Sequence, residues 1–209
     1  MASQSIETKI LNRIKKSGRG TVLFASDFIR YGEKKSINKT LERMTNDGTI
    51  LRIGRGIYYY PKIDKELGFG ILYPTLEEVA DGIAKRDKAH TVPTGLYALN
   101  RLFSTQIPMN VVFMTDGYSR KISLLNGGTI EFKRSSPKYL AFHSQLAMLL
   151  TSAFRSLGKE HITPEIIART KELLEKEEKN VIEQDYQLMP AWVSSYIRSL
   201  YEEEKREKE

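Results

Sequence analysis

The stretch KKSINKTLERMTNDGTILRIGRGIYYYP, Lys34 to Pro61, decides how this chain is read. Its first half places Ile37, Leu41 and Met44 at i, i+4 and i+7, one face of a helix from about Lys34 to Asn46, and Asp47-Gly48 supplies the stop. Its second half holds two β-rich runs, Thr49 to Ile53 and Ile57 to Tyr60. They flank Gly54-Arg55-Gly56, where glycine tolerates the positive φ angles of a tight turn. Pro61 cannot donate to a ladder and ends the hairpin.

Upstream, Ile6, Ile10, Leu11 and Ile14 recur on one face and predict a helix from about Ser5 to Lys16, stopped by Gly18-Arg19-Gly20. Thr21 to Phe24 is a short β-type run. Ser26-Asp27 is an N-cap signal for a second short helix carrying Phe28, Ile29 and Tyr31, closed by Gly32. The order helix, strand, helix, helix, hairpin is that of a winged helix-turn-helix. Charge follows the same boundary. Residues 1–62 hold thirteen Lys/Arg against five Asp/Glu, a net +8, whereas residues 63–209 hold 20 against 21, a net −1. A module that docks on phosphates needs such an excess to displace counterions, and folding does not.

Beyond Ile63 the pattern becomes α+β. Thr75 and Glu78 are spaced as a capping box opening a helix from Leu76 to about Arg86. Pro93 reads as the first turn of a helix through Leu102. Val111 to Thr115 is a strand, and Lys121 to Leu125 with Thr129 to Lys133 form a hairpin around Asn126-Gly127-Gly128. Helices follow: a long apolar one from Lys138 to Leu157, one from Thr163-Pro164 to about Glu177, and one after Pro190 with Trp192, Val193, Tyr196, Ile197 and Leu200 on its apolar face. The charged tail from Glu202 is expected to fray. The expected architecture is therefore an N-terminal winged helix-turn-helix, residues 1–62, followed by an α+β domain with a helical C-terminal part, residues 63–209.

With Ile37, Leu41 and Met44 turned inward, a 100° step per residue puts Lys35, Ser36, Lys39, Glu42 and Arg43 outward, Lys34 at the N-terminal end and Asn38 on the flank. These types suit duplex DNA: Lys and Arg donate to guanine, Asn pairs with adenine, Glu accepts from cytosine, and the helix N-terminus favours a phosphate. Arg52 and Arg55 belong to the hairpin, Arg55 at its tip, where it reaches a minor groove or a phosphate. The predicted DNA-contacting set is Lys34, Lys35, Ser36, Asn38, Lys39, Arg43, Arg52 and Arg55. Arg19 is a weaker candidate. Tyr58, Tyr59 and Tyr60 resemble a stacking platform for single strands, but strand propensity favours packing.

Other chemistry finds little support. Zero cysteines exclude disulfide frameworks, thiolate zinc sites and cysteine nucleophiles. His90, His143 and His161 have no metal-ligand spacing, and no phosphate-binding glycine loop or Ser/His/Asp set is visible. His143 reads as an ordinary residue of the long helix. Asp116 at a strand end, with Glu131 and Lys133 on a later strand and Glu77 and Glu78 on a preceding helix, resembles the Glu-x-Lys arrangement of Mg²⁺-dependent nucleases. This is the alternative reading, a nuclease-like C-terminal domain brought to DNA by the basic module. No cofactor, catalytic residue or metal site is otherwise expected. No apolar run approaches the roughly 18 residues of a membrane span, and Met1-Ala2-Ser3-Gln4 lacks a secretory layout, so the expectation is a soluble cytoplasmic protein.

Several segments also resemble the AbiEi antitoxins of type IV toxin-antitoxin systems: Ile14-Lys15-Lys16 through Gly18-Arg19-Gly20; Arg55-Gly56-Ile57-Tyr58 with Pro61; and Leu72-Tyr73-Pro74-Thr75. The middle adds Val92-Pro93-Thr94-Gly95-Leu96-Tyr97-Ala98-Leu99-Asn100, Ser104-Thr105-Gln106-Ile107-Pro108, and Val111 to Gly117 with Arg120. The resemblance covers most of residues 6–135 and fades in the helical C-terminus. It implies a repressor that binds its own promoter and autoregulates its operon. It also implies a cognate nucleotidyltransferase toxin, a functional rather than a tight physical partner, countered through the C-terminal domain. Thr94, Tyr97, Thr105, Gln106 and Arg120, the polar members of the block, are candidates for a functional surface or for capping and core hydrogen bonds.

Overall fold

The computed structural model describes residues 5–64, 66, 68–104 and 108–208, with side chains through Glu202. The fold is mixed α+β. It divides into two compact units, one of residues 1–86 with 122–130, the other of residues 87–121 with 131–209.

In the first unit, α1 (Ile6–Ser17) begins where the Ser5 side chain accepts the Thr8 N–H at 3.2 Å. It buries Ile10 and Ile14 and ends at Gly18. Strand β1 (Val22–Phe24) leads into a 3-10 turn, Ala25–Tyr31. Here the expectation needs correcting: Ser26 caps nothing, and the Asp27 carboxylate instead accepts the Phe24 N–H at 2.8 Å. That bond ties the turn to the strand before it and drives Phe28 fully into the core. Helix α2 (Lys34–Asn46) follows, burying Ile37, Thr40, Leu41 and Met44 against Ile10, Ile14, Leu23, Phe28, Ile50 and Tyr58. At its end, hydrogen bonds from Thr49, first through its side chain and then its backbone, hold the Asp47 carboxyl below the usual range.

Strands β2 (Leu51–Gly54) and β3 (Ile57–Tyr59) make an antiparallel hairpin, and β1 pairs with the other edge of β3 to give the order β1-β3-β2. Only Gly56 of the hairpin glycines takes a positive φ, +70°. At Gly54 an added Cβ would meet the Ile57 and Leu124 side chains at 3.4 Å, an ordinary packing contact. Tyr58 and Tyr59 are buried, so packing is their role. A two-stranded ribbon, β4 (Lys62–Asp64) with β5 (Gly70–Leu72), leads to α3 (Leu76–Asp87). Its capping box is present, Thr75 N–H to Glu78 Oε2 at 2.7 Å and Glu78 N–H to Thr75 Oγ1 at 3.1 Å. Replacing Thr75 with Ala removes one acceptor and should cost about 1 kcal/mol, visible as a lower urea midpoint with an unchanged slope.

The remaining chain contains β6 (Thr91–Pro93), α4 (Gly95–Phe103), β7 (Asn110–Thr115), β8 (Arg120–Ser123) and β9 (Thr129–Arg134), the strands ordered β6-β7-β9-β8. Pro93 does not open a helix. It closes the edge strand β6, where a missing N–H is harmless, and the helix starts two residues later after Thr94. The expected long helix from Lys138 is also interrupted. Pro137–Leu140 is a 3-10 turn, and α5 (Gln145–Leu157) starts only after Ser144, because Asp185 takes the N–H groups of His143 and Ser144 at 2.9 and 2.8 Å. Then come α6 (Pro164–Leu174), the unforeseen α7 (Lys179–Gln184) and α8 (Ala191–Lys208). The backbone of the charged tail is helical through Lys208, continuous with α8. Helices α4, α5 and α8 share a core of Ala98, Leu150, Ala153, Phe154, Val193 and Ile197. Among the described residues, no helix is long and apolar enough to cross a membrane.

Candidate nucleic-acid interface

All eight residues of the predicted DNA-contacting set are exposed, but the structure sorts them into three groups. Lys34 and Asn38, together with Glu42 and Thr45, form the side of α2 that faces the β2–β3 hairpin. With Arg52 and Arg55 they line one depression of about 600 Å³. Lys35 and Lys39 lie on the outermost side of the helix, at the angular position opposite Ile37 and Leu41. Ser36 and Arg43 fall on the far flank. There Arg43 Nη2 meets Glu7 Oε2 of α1 at 2.8 Å, and the Ser36 carbonyl accepts the Thr40 hydroxyl at 2.9 Å.

The convergence of Arg52 and Arg55 has a backbone cause. Arg52 lies on β2, whereas Arg55 lies in the turn that follows the strand, where strand alternation no longer sets its direction. The β2–β3 register slips between Arg52 and Gly54, a bulge that places Ile53 inward while leaving Arg52 and Arg55 exposed and lining the same depression. Periodicity alone cannot reveal this, because the bulge is a property of the pairing. The contribution of Thr45 and Asn46 to the same depression also escaped the sequence reading, although the spacing 34, 38, 42, 45 carries the signal for Thr45.

Arg19 is accounted for inside the molecule. Its guanidinium donates to the Pro61 carbonyl at 2.9 Å and lies over the Tyr60 ring, 4.9 Å from the centroid. It fastens the end of the hairpin to the loop after α1.

In the second unit, Thr94 Oγ1 donates to the Val112 carbonyl at 3.1 Å, Tyr97 stands edge-on to Phe113, and Arg120 pairs with Asp87 above the Phe132 ring. These are packing and pairing roles. Thr105 and Gln106 lie outside the described residues. The nuclease-like trio is otherwise engaged. Asp116 Oδ1 accepts the His90 N–H at 2.8 Å, and Lys133 pairs with Glu131 at 3.6 Å. Among the described residues, no group of three or more His, Asp or Glu is placed to hold a metal ion.

His143 also differs from expectation. It precedes α5 rather than lying within it, its ring is largely exposed, and Nδ1 is 2.9 Å from the fully buried Asp185 carboxylate.

No curated protein and no solved structure matches the chain. Its residues 9–182 match a described protein family across both units, and the chain thus belongs to DUF6088, a family of unknown function.

Proposed function

We propose that this protein is a DNA-binding transcriptional regulator whose residues 1–62 act as a winged helix-turn-helix, with α2 as the groove-entering helix and the β2–β3 hairpin as the wing. One observation carries this reading: Lys34, Asn38, Glu42, Arg52 and Arg55, drawn from two elements, line a single depression beside a basic helix. A helix and a flanking hairpin with such side chains match what a major groove and its adjacent phosphates require. The +8 charge of residues 1–62 supplies the counterion displacement that duplex affinity depends on.

The antitoxin half of the proposal rests on the resemblance of residues 92–100 and 111–120 to AbiEi proteins. On it, the chain represses its own operon and counteracts a nucleotidyltransferase toxin encoded beside it, in the cytoplasm, without forming a tight complex. The nuclease alternative has no supporting observation, since its three residues are engaged in a turn and a mutual ion pair.

The test is fluorescence anisotropy with duplex DNA from upstream of the chain's own gene. Binding that falls steeply and log-linearly with salt supports the reading. No binding, or a salt slope near zero, overturns it. Loss of growth rescue when the chain is deleted from a strain carrying the neighbouring toxin gene tests the antitoxin half separately.

A further inference from the structure

The second unit is nearly neutral, with 17 basic and 16 acidic residues, yet three of its cations meet in one cleft of about 700 Å³. Lys138 and Tyr139 reach it from the Pro137–Leu140 turn, Arg155 from the last turn of α5, Lys159 from the turn that follows, and Trp192 from the first turn of α8. No carboxylate stands among the described residues that line it. The Arg155 guanidinium lies over the Tyr139 ring, 4.7 Å from the centroid, which keeps its fork of donors at the cleft. Trp192 is half-buried and anchored by Phe154, 6.5 Å away between ring centroids.

We propose that this cleft binds a nucleoside phosphate. Uncompensated Arg and Lys are the groups that hold phosphate oxygens, and an anchored indole offers a planar ring a stacking partner at little entropic cost. The volume lies in the range of small-ligand sites, roughly 300–1,000 Å³. The site uses none of the residues assigned to DNA, so it stands or falls independently of the DNA-binding reading.

Trp192 is the chain's single tryptophan, so its emission reports on this cleft directly. The experiment titrates the full-length chain with ATP, GTP, adenosine and pyrophosphate while following that emission. Saturable quenching by a nucleoside triphosphate, with pyrophosphate and adenosine each at least about tenfold weaker, is the expected result. Arg155→Gln with Lys159→Gln should weaken the nucleotide by tenfold or more while leaving the melting temperature and duplex-DNA affinity unchanged. Lys138→Gln, on a different segment, should weaken it in the same direction and serves if the double variant is unstable. No saturable quenching by either nucleotide, pyrophosphate binding as tightly as ATP and GTP, or unchanged affinity in the charge-removal variants overturns the proposal.

Discussion

Replacing Lys34, Arg52 and Arg55 together with glutamine should lower affinity for operator duplex by about two orders of magnitude at moderate salt. It should also reduce the slope of log K against log salt by roughly three, one for each phosphate-neutralising cation removed. All three side chains are exposed and line the depression between α2 and the hairpin, so the substitution leaves the core of Ile37, Leu41 and Met44 untouched. Unfolding midpoints should therefore move little. Two controls separate a DNA contact from a general charge effect. Arg43→Gln removes one positive charge from the helix that carries Lys34, but Arg43 points to the opposite flank and is paired with Glu7, so its effect on affinity should be several-fold smaller than that of Lys34→Gln alone. Arg19→Gln breaks the hydrogen bond to Pro61 and the stack on Tyr60, so it should lower stability more than affinity at temperatures where the variant is folded. Equal losses from the triple variant and from Arg43→Gln would remove the wing from the interface.

What could be read in advance divides along the reach of the interactions. The bounds of α2 follow from Ile37, Leu41 and Met44 with Asp47-Gly48, all within one helix and its cap, and the structure reproduces them residue for residue. The Thr75–Glu78 box is equally local, three residues spanning both hydrogen bonds. The failures lie where a distant partner decides. Pro93 is compatible with a first helical turn or an edge strand, and only the pairing with Phe113 selects the strand. The bulge at Ile53 arises from how β2 meets β3. Arg43 and Lys39 look alike on a helical wheel, yet Glu7, 36 residues away, pairs with one of them. The exposure of the eight predicted residues was thus legible, and their division into a hairpin-facing cluster, an outer row and a paired arginine was not.

The break before α5 is the clearest case of a distant group overruling local propensity, and it yields the strongest stability prediction. The apolar run from Ala141 to Leu150 favours continuous helix, but Asp185 is fully buried and needs donors. It receives the N–H of His143, the N–H of Ser144 and His143 Nδ1, all within 3.1 Å. Bending the chain to meet it frees the Ser144 hydroxyl to accept the Ala147 N–H at 3.0 Å, which caps α5 and fixes where Leu150, Ala153 and Phe154 enter the core. Asp185→Ala should accordingly destabilise the protein by about 3 kcal/mol, because it orphans a buried N–H at Ser144 and removes the partner of a second one. Asp185→Asn keeps one acceptor oxygen and should cost roughly half as much. His143→Ala leaves both backbone donors in place and deletes only a largely exposed ring, so its cost should stay below about 1 kcal/mol. Urea unfolding of the three variants orders them directly. If His143→Ala proves as damaging as Asp185→Ala, the ion pair rather than the backbone capture holds this corner, and the explanation for the helix break fails with it.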